Sequence, residues 1–329
     1  MIFYNLLISS TLITISSYSW VCSWMGLEMN LLSLIPLMKM FKNKLSAEAT
    51  IKYFIIQAMA SSMFLFSLIF FNFNKLFLNN MMMTSLFMNS ALFMKMGAAP
   101  FHFWLPEVSS GMNWEINFII LTWQKFAPSI LIFYSMHTYI FFSIIIIISS
   151  LISGIQSLNQ TCLRKILAYS SINHISWMIS AILNSLNIWM YYFLIYSLIN
   201  FNIMLMFSHF NIFNIYQMSK LFSSNKMMKI FFMCNFLSLG GLPPFLGFFP
   251  KWMVINQMIS NNLYMLSFLM MMFTLVSLYI YMRLTFSSFS LSKKKSLIFF
   301  FNNMYFYMFF LNFLNLFSLT ICMIPSKFS

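Results

Sequence analysis

The sequence predicts an all-α membrane protein that crosses the bilayer about eleven times, and three observations carry the prediction. Of the 329 residues, 61% are hydrophobic and 7% charged, too few charges to cover a water-soluble chain of this size. Apolar runs of about 20 residues, the length of a bilayer crossing, follow one another from end to end with short polar clusters between them. The basic residues in those clusters gather on alternate loops.

The runs fall at 2–21, 24–39, 48–72, 81–107, 115–135, 139–157, 162–183, 188–209, 228–259, 263–286 and 297–323, the fourth and ninth being broken. The longest polar gap, Asn211 to Lys226, is short, so residues 1–329 form a single transmembrane domain. If the N-terminus faces inside, the inside loops carry Lys39, Lys42, Lys44, Arg164, Lys165, Lys220, Lys226, Lys229, Arg283 and Lys293 to Lys295. Only Lys75 and Lys327 lie on the other side, an asymmetry that fixes the orientation and supports the count of spans. Lys52, a few residues into its span, reads as one more inside anchor that snorkels to the surface.

Composition also excludes function classes. The net charge of +14 would suit nucleic acid, but the charges are sparse and lie between apolar runs, so no nucleic-acid partner is expected. Cys22, Cys162, Cys234 and Cys322 have no metal-ligand spacing, and His102, His137, His174 and His209 fall in four different segments. No metal and no redox cofactor is expected in this chain. A cleavable presequence is not expected either, because the first span begins almost at Met1.

Four ionisable residues are not explained as anchors. Glu28 lies inside SWMGLEMNLLSLIP, Lys95 precedes the break in KMGAAPFHFWLPE, Lys125 sits three residues before Pro128 in LTWQKFAPSIL, and Lys251 follows the break in LSLGGLPPFLGFFPKW. Each charge at mid-membrane costs roughly 2.5–3.5 kcal/mol, so the four together cost on the order of 10 kcal/mol before pairing. A broken membrane helix leaves backbone groups that lipid cannot satisfy, so it survives only where it is buried in protein or lines a hydrated cavity. A buried lysine beside such a break reads as a proton or ion site. Burial favours the neutral amine and a nearby carboxylate favours the ammonium, and a lysine held between the two can release its proton when a neighbouring charge moves. Glu28 with Lys95 is the candidate pair. Plainer readings stand beside these: a structural ion-pair partner without transport for Glu28, a structural role without transport beside the broken helices for Lys95 and Lys251, a snorkelling residue near a helix end for Lys125. His174, in AYSSINHISWM, reads equally as a packing residue and as part of a hydrated relay. His102 reads as packing around the break, and Glu107 and Glu115 as solvated.

The two breaks share a pattern, PFHFWLP at Pro100 to Pro106 and PFLGFFP at Pro244 to Pro250, five spans apart. Five is an odd number of crossings, so a second copy of a five-helix unit sits upside down. The expected architecture is two inverted five-helix repeats, 1–135 and 136–287, broken around 97–106 and 240–250, with a C-terminal helix and tail at 288–329.

In this order and at these separations, WMGLEMNLLSLIP, KMGAAPFHFWLPEV, LTWQKFAPSIL, AYSSINHISWM and FLSLGGLPPFLGFFPKW resemble the antiporter-like membrane subunits of respiratory NADH:ubiquinone oxidoreductase, of an animal mitochondrial and insect-like type. The resemblance runs from the first span through the tenth; the last is matched by position and hydrophobicity alone. It implies the inverted-repeat fold and a place in the mitochondrial inner membrane, N-terminus to the matrix and C-terminus to the intermembrane space. Glu28 then matches the family's intramembrane glutamate, Lys95 its partner lysine, Lys125 the central-axis lysine and Lys251 the lysine toward the exit. NADH, FMN, Fe–S clusters and ubiquinone would belong to other subunits, which with accessory subunits become the partners. The inside-facing lysines suit anionic lipids such as cardiolipin. The implied mechanism is a change of charge near Glu28 that loosens or tightens its hold on Lys95, passed on through Lys125 to Lys251, where a proton leaves. Two rivals are a free-standing proton/cation antiporter and a scaffold subunit that moves no protons.

Overall fold

The computed structural model describes residues 1–39, 43–77, 81–218, 226–290, 310 and 312. The described residues are helices and turns, with one isolated antiparallel bridge between Cys162 and Asn214. The span expected at 297–323 lies outside them except for Phe310 and Asn312, as do Lys42, Lys220, Lys293 to Lys295, Cys322 and Lys327. Seven described helices are long and apolar enough to cross a membrane, and Ile2–Ser16 and Ile230–Gly240 are shorter apolar ones. The chain divides into two compact units, Met1–Ser149 and Ser150–Ser329.

The first unit holds α1 (Ile2–Ser16), α2 (Trp20–Lys39), α3 (Lys44–Phe77), α4 (Met81–Met96), α5 (Trp104–Gly111), α6 (Trp114–Leu121), α7 (Trp123–Tyr134) and the start of α8 (Tyr139–Leu158). The turn between the first two helices is at Ser17–Ser19, earlier than the gap expected at 22–23. Ser19 is the reason: its hydroxyl accepts from the Cys22 N–H at 3.3 Å and its carbonyl from the Ser23 N–H at 3.1 Å, so it starts α2. Glu28 therefore stands in the third turn of its helix. α1 and α2 pack closely because Gly26 carries no side chain; a Cβ there would run into the Thr14 methyl. α3 packs on α2, α4 and α5, and α4 on α7. At the foot of α5, a Cβ on Gly111 would stand 2.7 Å from the Leu45 carbonyl, so the α3–α5 contact depends on that glycine.

The second unit holds the rest of α8, then α9 (Leu163–Asn184), α10 (Leu186–Phe210), α11 (Lys226–Gly240), α12 (Phe248–Ser260) and α13 (Tyr264–Ser290), with a 3₁₀ turn at Ile215–Gln217. α10 packs on α9, α11 and α12, and α13 on α9, α11 and α12. α9 is the most enclosed of the long helices, yet its buried residues include Ser170, Ser171, Asn173, His174, Ser176 and Ser180. The serines hand their protons back to carbonyls three residues earlier, as Ser171 does to Ala168 at 2.7 Å and Ser176 to Asn173 at 2.6 Å. A helix this polar is stable in the core of a membrane bundle only because its hydroxyls are satisfied in this way.

Candidate functional site

The breaks decide the geometry. α4 ends on Met96, and Gly97 follows at φ +77°, with its N–H on the Met94 carbonyl at 3.3 Å and the Ala98 N–H on the Phe93 carbonyl at 3.0 Å. α11 ends on Gly240, and Gly241 follows at φ +80°, with its N–H on the Ser238 carbonyl at 3.0 Å and the Leu242 N–H on the Leu237 carbonyl at 3.3 Å. Both are Schellman turns, a left-handed glycine closing a helix with paired bonds back to its last turn. In both, helix resumes seven residues after that glycine, at Trp104 and at Phe248. The breaks are thus narrower than the motifs suggested. Pro100 and Pro244 lie in them, whereas Pro106 and Pro250 sit in the first turn of the following helix, where a missing N–H leaves no bond unmade.

Each turn exposes carbonyls that side chains then cover. At the first, the Gln57 amide donates to the Lys95 carbonyl at 3.2 Å and the Trp104 indole to the Met94 carbonyl at 3.1 Å. At the second, Lys251 does this work itself, donating to the Gly240 carbonyl at 2.8 Å and more weakly to that of Leu239 at 3.4 Å. Its ammonium also lies 5.8 Å from the centre of the Trp177 ring, within cation–π range. Gly241 makes room for it, because a Cβ there would come within 2.8 Å of the Lys251 Nζ and Cδ. Trp104→Phe keeps the edge-on packing against Tyr53 but removes the bond to Met94. The loss should cost about 1–2 kcal/mol and bring earlier thermal inactivation. A variant as heat-resistant as the parent would mean that this carbonyl has another donor.

In the first unit, Lys95 is 6% exposed in the last turn of α4, and Lys125 is 1% exposed in the first turn of α7. Glu28 is partly buried on α2, and its Oε1 is enclosed with no hydrogen-bond partner among the described residues. The Glu28 charge reaches Lys95 electrostatically, but the two make no direct ion pair. The direct pairs among the described residues are those of Lys52, with Glu48 at 2.8 Å and Glu107 at 2.9 Å. Lys52 is therefore the centre of a half-exposed triad that ties α3 to α5. The fifth span is interrupted at Thr122, which sequence reading missed. Thr122 turns its hydroxyl onto the Phe118 carbonyl at 2.6 Å, and Pro128 further on leaves the Gln124 carbonyl without its usual helical donor. Gln124 and Asn30 exchange two amide bonds, at 3.1 and 3.2 Å, and so lock the helix of Lys125 to the helix of Glu28.

In the second unit, Lys251 is 7% exposed in the first turn of α12. His174 lies on α9 with Nδ1 2.8 Å from the Tyr192 hydroxyl and its ring against Tyr196, centroids 4.8 Å apart. Trp177, one turn along α9 from His174, is the residue whose ring faces Lys251. The structure therefore gathers Glu28, Lys95 and Lys125 in one unit and His174 and Lys251 in the other. His102, at the first break, leans on the Phe103 ring with centroids 4.4 Å apart, and its Nδ1 is 3.3 Å from the Pro100 carbonyl. That is the environment of a packing residue.

Residues 17–277 match a family described as the membrane domain of NADH:quinone oxidoreductases and Mrp antiporters. The chain belongs to that family. Among its relatives, NADH-ubiquinone oxidoreductase chain 2 of Anopheles gambiae is 48% identical over 300 residues, spanning 90% of this chain and 87% of the relative. The chain 2 protein of Locusta migratoria is 44% identical, over 88% and 84%. A chain of respiratory complex I from Thermus thermophilus, solved with bound aureothin, superposes with a TM-score of 0.85 over 95% of this chain and 76% of its own length. At 21% identity it shows the shared fold. The resemblance read from the five motifs, insect-like type included, holds, and so does a multi-pass membrane fold of the antiporter-like kind.

Proposed function

We propose that this chain is a proton-translocating subunit of a mitochondrial inner-membrane NADH-ubiquinone oxidoreductase, with Glu28, Lys95, Lys125 and Lys251 as its proton-handling groups and His174 beside them. The observation that carries the reading is the same left-handed glycine turn in each unit, with a buried lysine two residues before it in one and in the first turn after the break in the other. Two compact units with one such turn each support the reading as inverted five-helix repeats and eleven crossings. The N-terminus then faces the matrix. Charge shifts near Glu28 change the state of Lys95, the change passes on through Lys125 to Lys251, and Lys251 releases the proton. NADH, FMN, Fe–S clusters and ubiquinone are handled by neighbouring subunits, and anionic lipids such as cardiolipin contact the inside lysines. The test is to solubilise native membranes gently, separate assemblies by size, locate this chain by mass spectrometry and stain the same lanes for NADH oxidation. Co-migration with a large NADH-oxidising assembly is expected. Most of the chain in a small inactive band, with detergent dissociation excluded by crosslinking first, would overturn it in favour of a free-standing antiporter.

A further inference from the structure

The two breaks are alike in backbone and unlike in charge. All four carboxylates of the chain, Glu28, Glu48, Glu107 and Glu115, lie in the first unit, and the second has no acidic residue. Lys95 stands within electrostatic reach of Glu28. Lys251 is just as deeply buried, yet it makes no ion pair among the described residues. An ammonium at that depth needs compensation from other groups. Its hydrogen bonds go to the carbonyls of Gly240 at 2.8 Å and Leu239 at 3.4 Å. Its Nζ also lies over the Trp177 ring, 5.8 Å from the centre. Those carbonyls and that ring are the neutral groups that stand where a carboxylate is missing.

Trp177 is a costly choice for mere packing. It is fully buried on α9, which packs on the α12 of Lys251, and its indole N–H is enclosed with no hydrogen-bond partner among the described residues. Nor does its ring stack on another aromatic ring among them. Phenylalanine or leucine would fill most of the same space without burying an unsatisfied donor. What indole offers beyond them is the most electron-rich face among the side chains, the best partner for a cation. The contacts of Lys251 also differ in what they distinguish. A backbone carbonyl accepts a hydrogen bond from a neutral amine as well as from an ammonium, although more strongly from the ammonium. The ring face attracts the ammonium alone.

We propose that Trp177 is the positioning residue of Lys251, its ring face holding the charged side chain on the carbonyls of the second break as Glu28 balances Lys95 at the first. The proposal rests on the reading of Lys251 as a proton-handling group and names the residue that holds it. The two stations then respond differently. The hold of Glu28 on Lys95 varies with the charge of a titratable partner, whereas an indole ring does not titrate. Its attraction is fixed and ends when Lys251 gives up its proton. Gly241 belongs to the same arrangement, because a Cβ there would displace the Lys251 side chain that the ring faces.

Trp177→Leu removes the ring and Trp177→Phe keeps a weaker one. Intact complex carrying each is reconstituted into vesicles, and quinone-linked proton translocation is read against NADH oxidation by a hydrophilic artificial acceptor. Translocation should fall at least about tenfold in Trp177→Leu and stay within about threefold of the parent in Trp177→Phe. A packing role is separated by the double variant Trp177→Leu with Lys251→Met, followed as assembled complex after heating. With the ammonium gone, losing Trp177 should cost no further heat resistance, and any assembly lost in Trp177→Leu alone should return. A loss of the same size with and without Lys251 makes Trp177 a packing residue and overturns the proposal. Parent-level translocation in Trp177→Leu, with none in Lys251→Met, also overturns it and leaves the proposed function standing. Parent-level translocation in Lys251→Met overturns both.

Discussion

Lys95→Met should leave the complex assembled and oxidising NADH with an artificial acceptor, while quinone-linked proton translocation falls by at least about tenfold. Lys95 is 6% exposed and no carboxylate among the described residues lies within ion-pair distance of it, so its charge is balanced at a distance by Glu28. Two unit charges ~6–7 Å apart at an effective dielectric near 20 interact by about 2.5 kcal/mol, enough to move a titration by nearly two pH units. A direct contact would hold the proton too firmly to release it, and a much greater separation would leave the two groups independent. The enclosed Oε1 of Glu28, with no hydrogen-bond partner among the described residues, makes the single substitution ambiguous, because losing Lys95 leaves that carboxylate uncompensated. The double variant Glu28→Gln with Lys95→Met removes both charges. It should regain any stability the single variant lost and still fail to translocate protons. Recovery of translocation in the double variant would show that Lys95 serves only to neutralise Glu28, and the pair would then be structural.

The order of helices was legible because the signals are local. Apolar length, proline, glycine and alternating basic loops each act within a few residues, and the described helix limits fall within about five residues of the runs read from them. The exceptions share one cause. Ser19 moved the first turn by capping α2, and Thr122 interrupted the fifth span by bonding back to Phe118; serine and threonine give the same letter whether they turn toward the backbone or toward a neighbour. Gln57, Trp104 and the Asn30–Gln124 pair were not legible at all. Their partners lie 38, 10 and 94 residues away, and only the fold says which carbonyl or amide each one meets. The tyrosines around His174 were hidden in another way. In a chain with 15 tyrosines and 43 phenylalanines, one hydroxyl more or less carries no signal until burial makes it expensive.

Gly247→Ala should be the most damaging single substitution at either break, and Gly240→Ala one of the mildest, although the two glycines stand seven residues apart in one motif. Gly247 has an ordinary backbone conformation, φ −65°, so strain is not the issue. A Cβ there would land on the Ser238 carbonyl, with that residue's carbonyl carbon at 2.7 Å, and backbone cannot swing aside as a side-chain end can. Ser238 is also the acceptor for the Gly241 N–H, so displacing it opens the turn that lets Lys251 reach the Gly240 carbonyl. The expected cost is on the order of 3–5 kcal/mol, seen as loss of assembled complex. At Gly240 the nearest atom to a new Cβ is 3.5 Å away on the Tyr281 ring, an ordinary contact, and alanine in place of glycine gains up to ~1 kcal/mol of helix propensity. Measuring assembled complex after heating should rank Gly240→Ala at or above the parent and Gly247→Ala far below it. Equal heat resistance in the two variants would mean that α11 and α12 do not meet at Ser238, and the placement of Lys251 would fall with that contact.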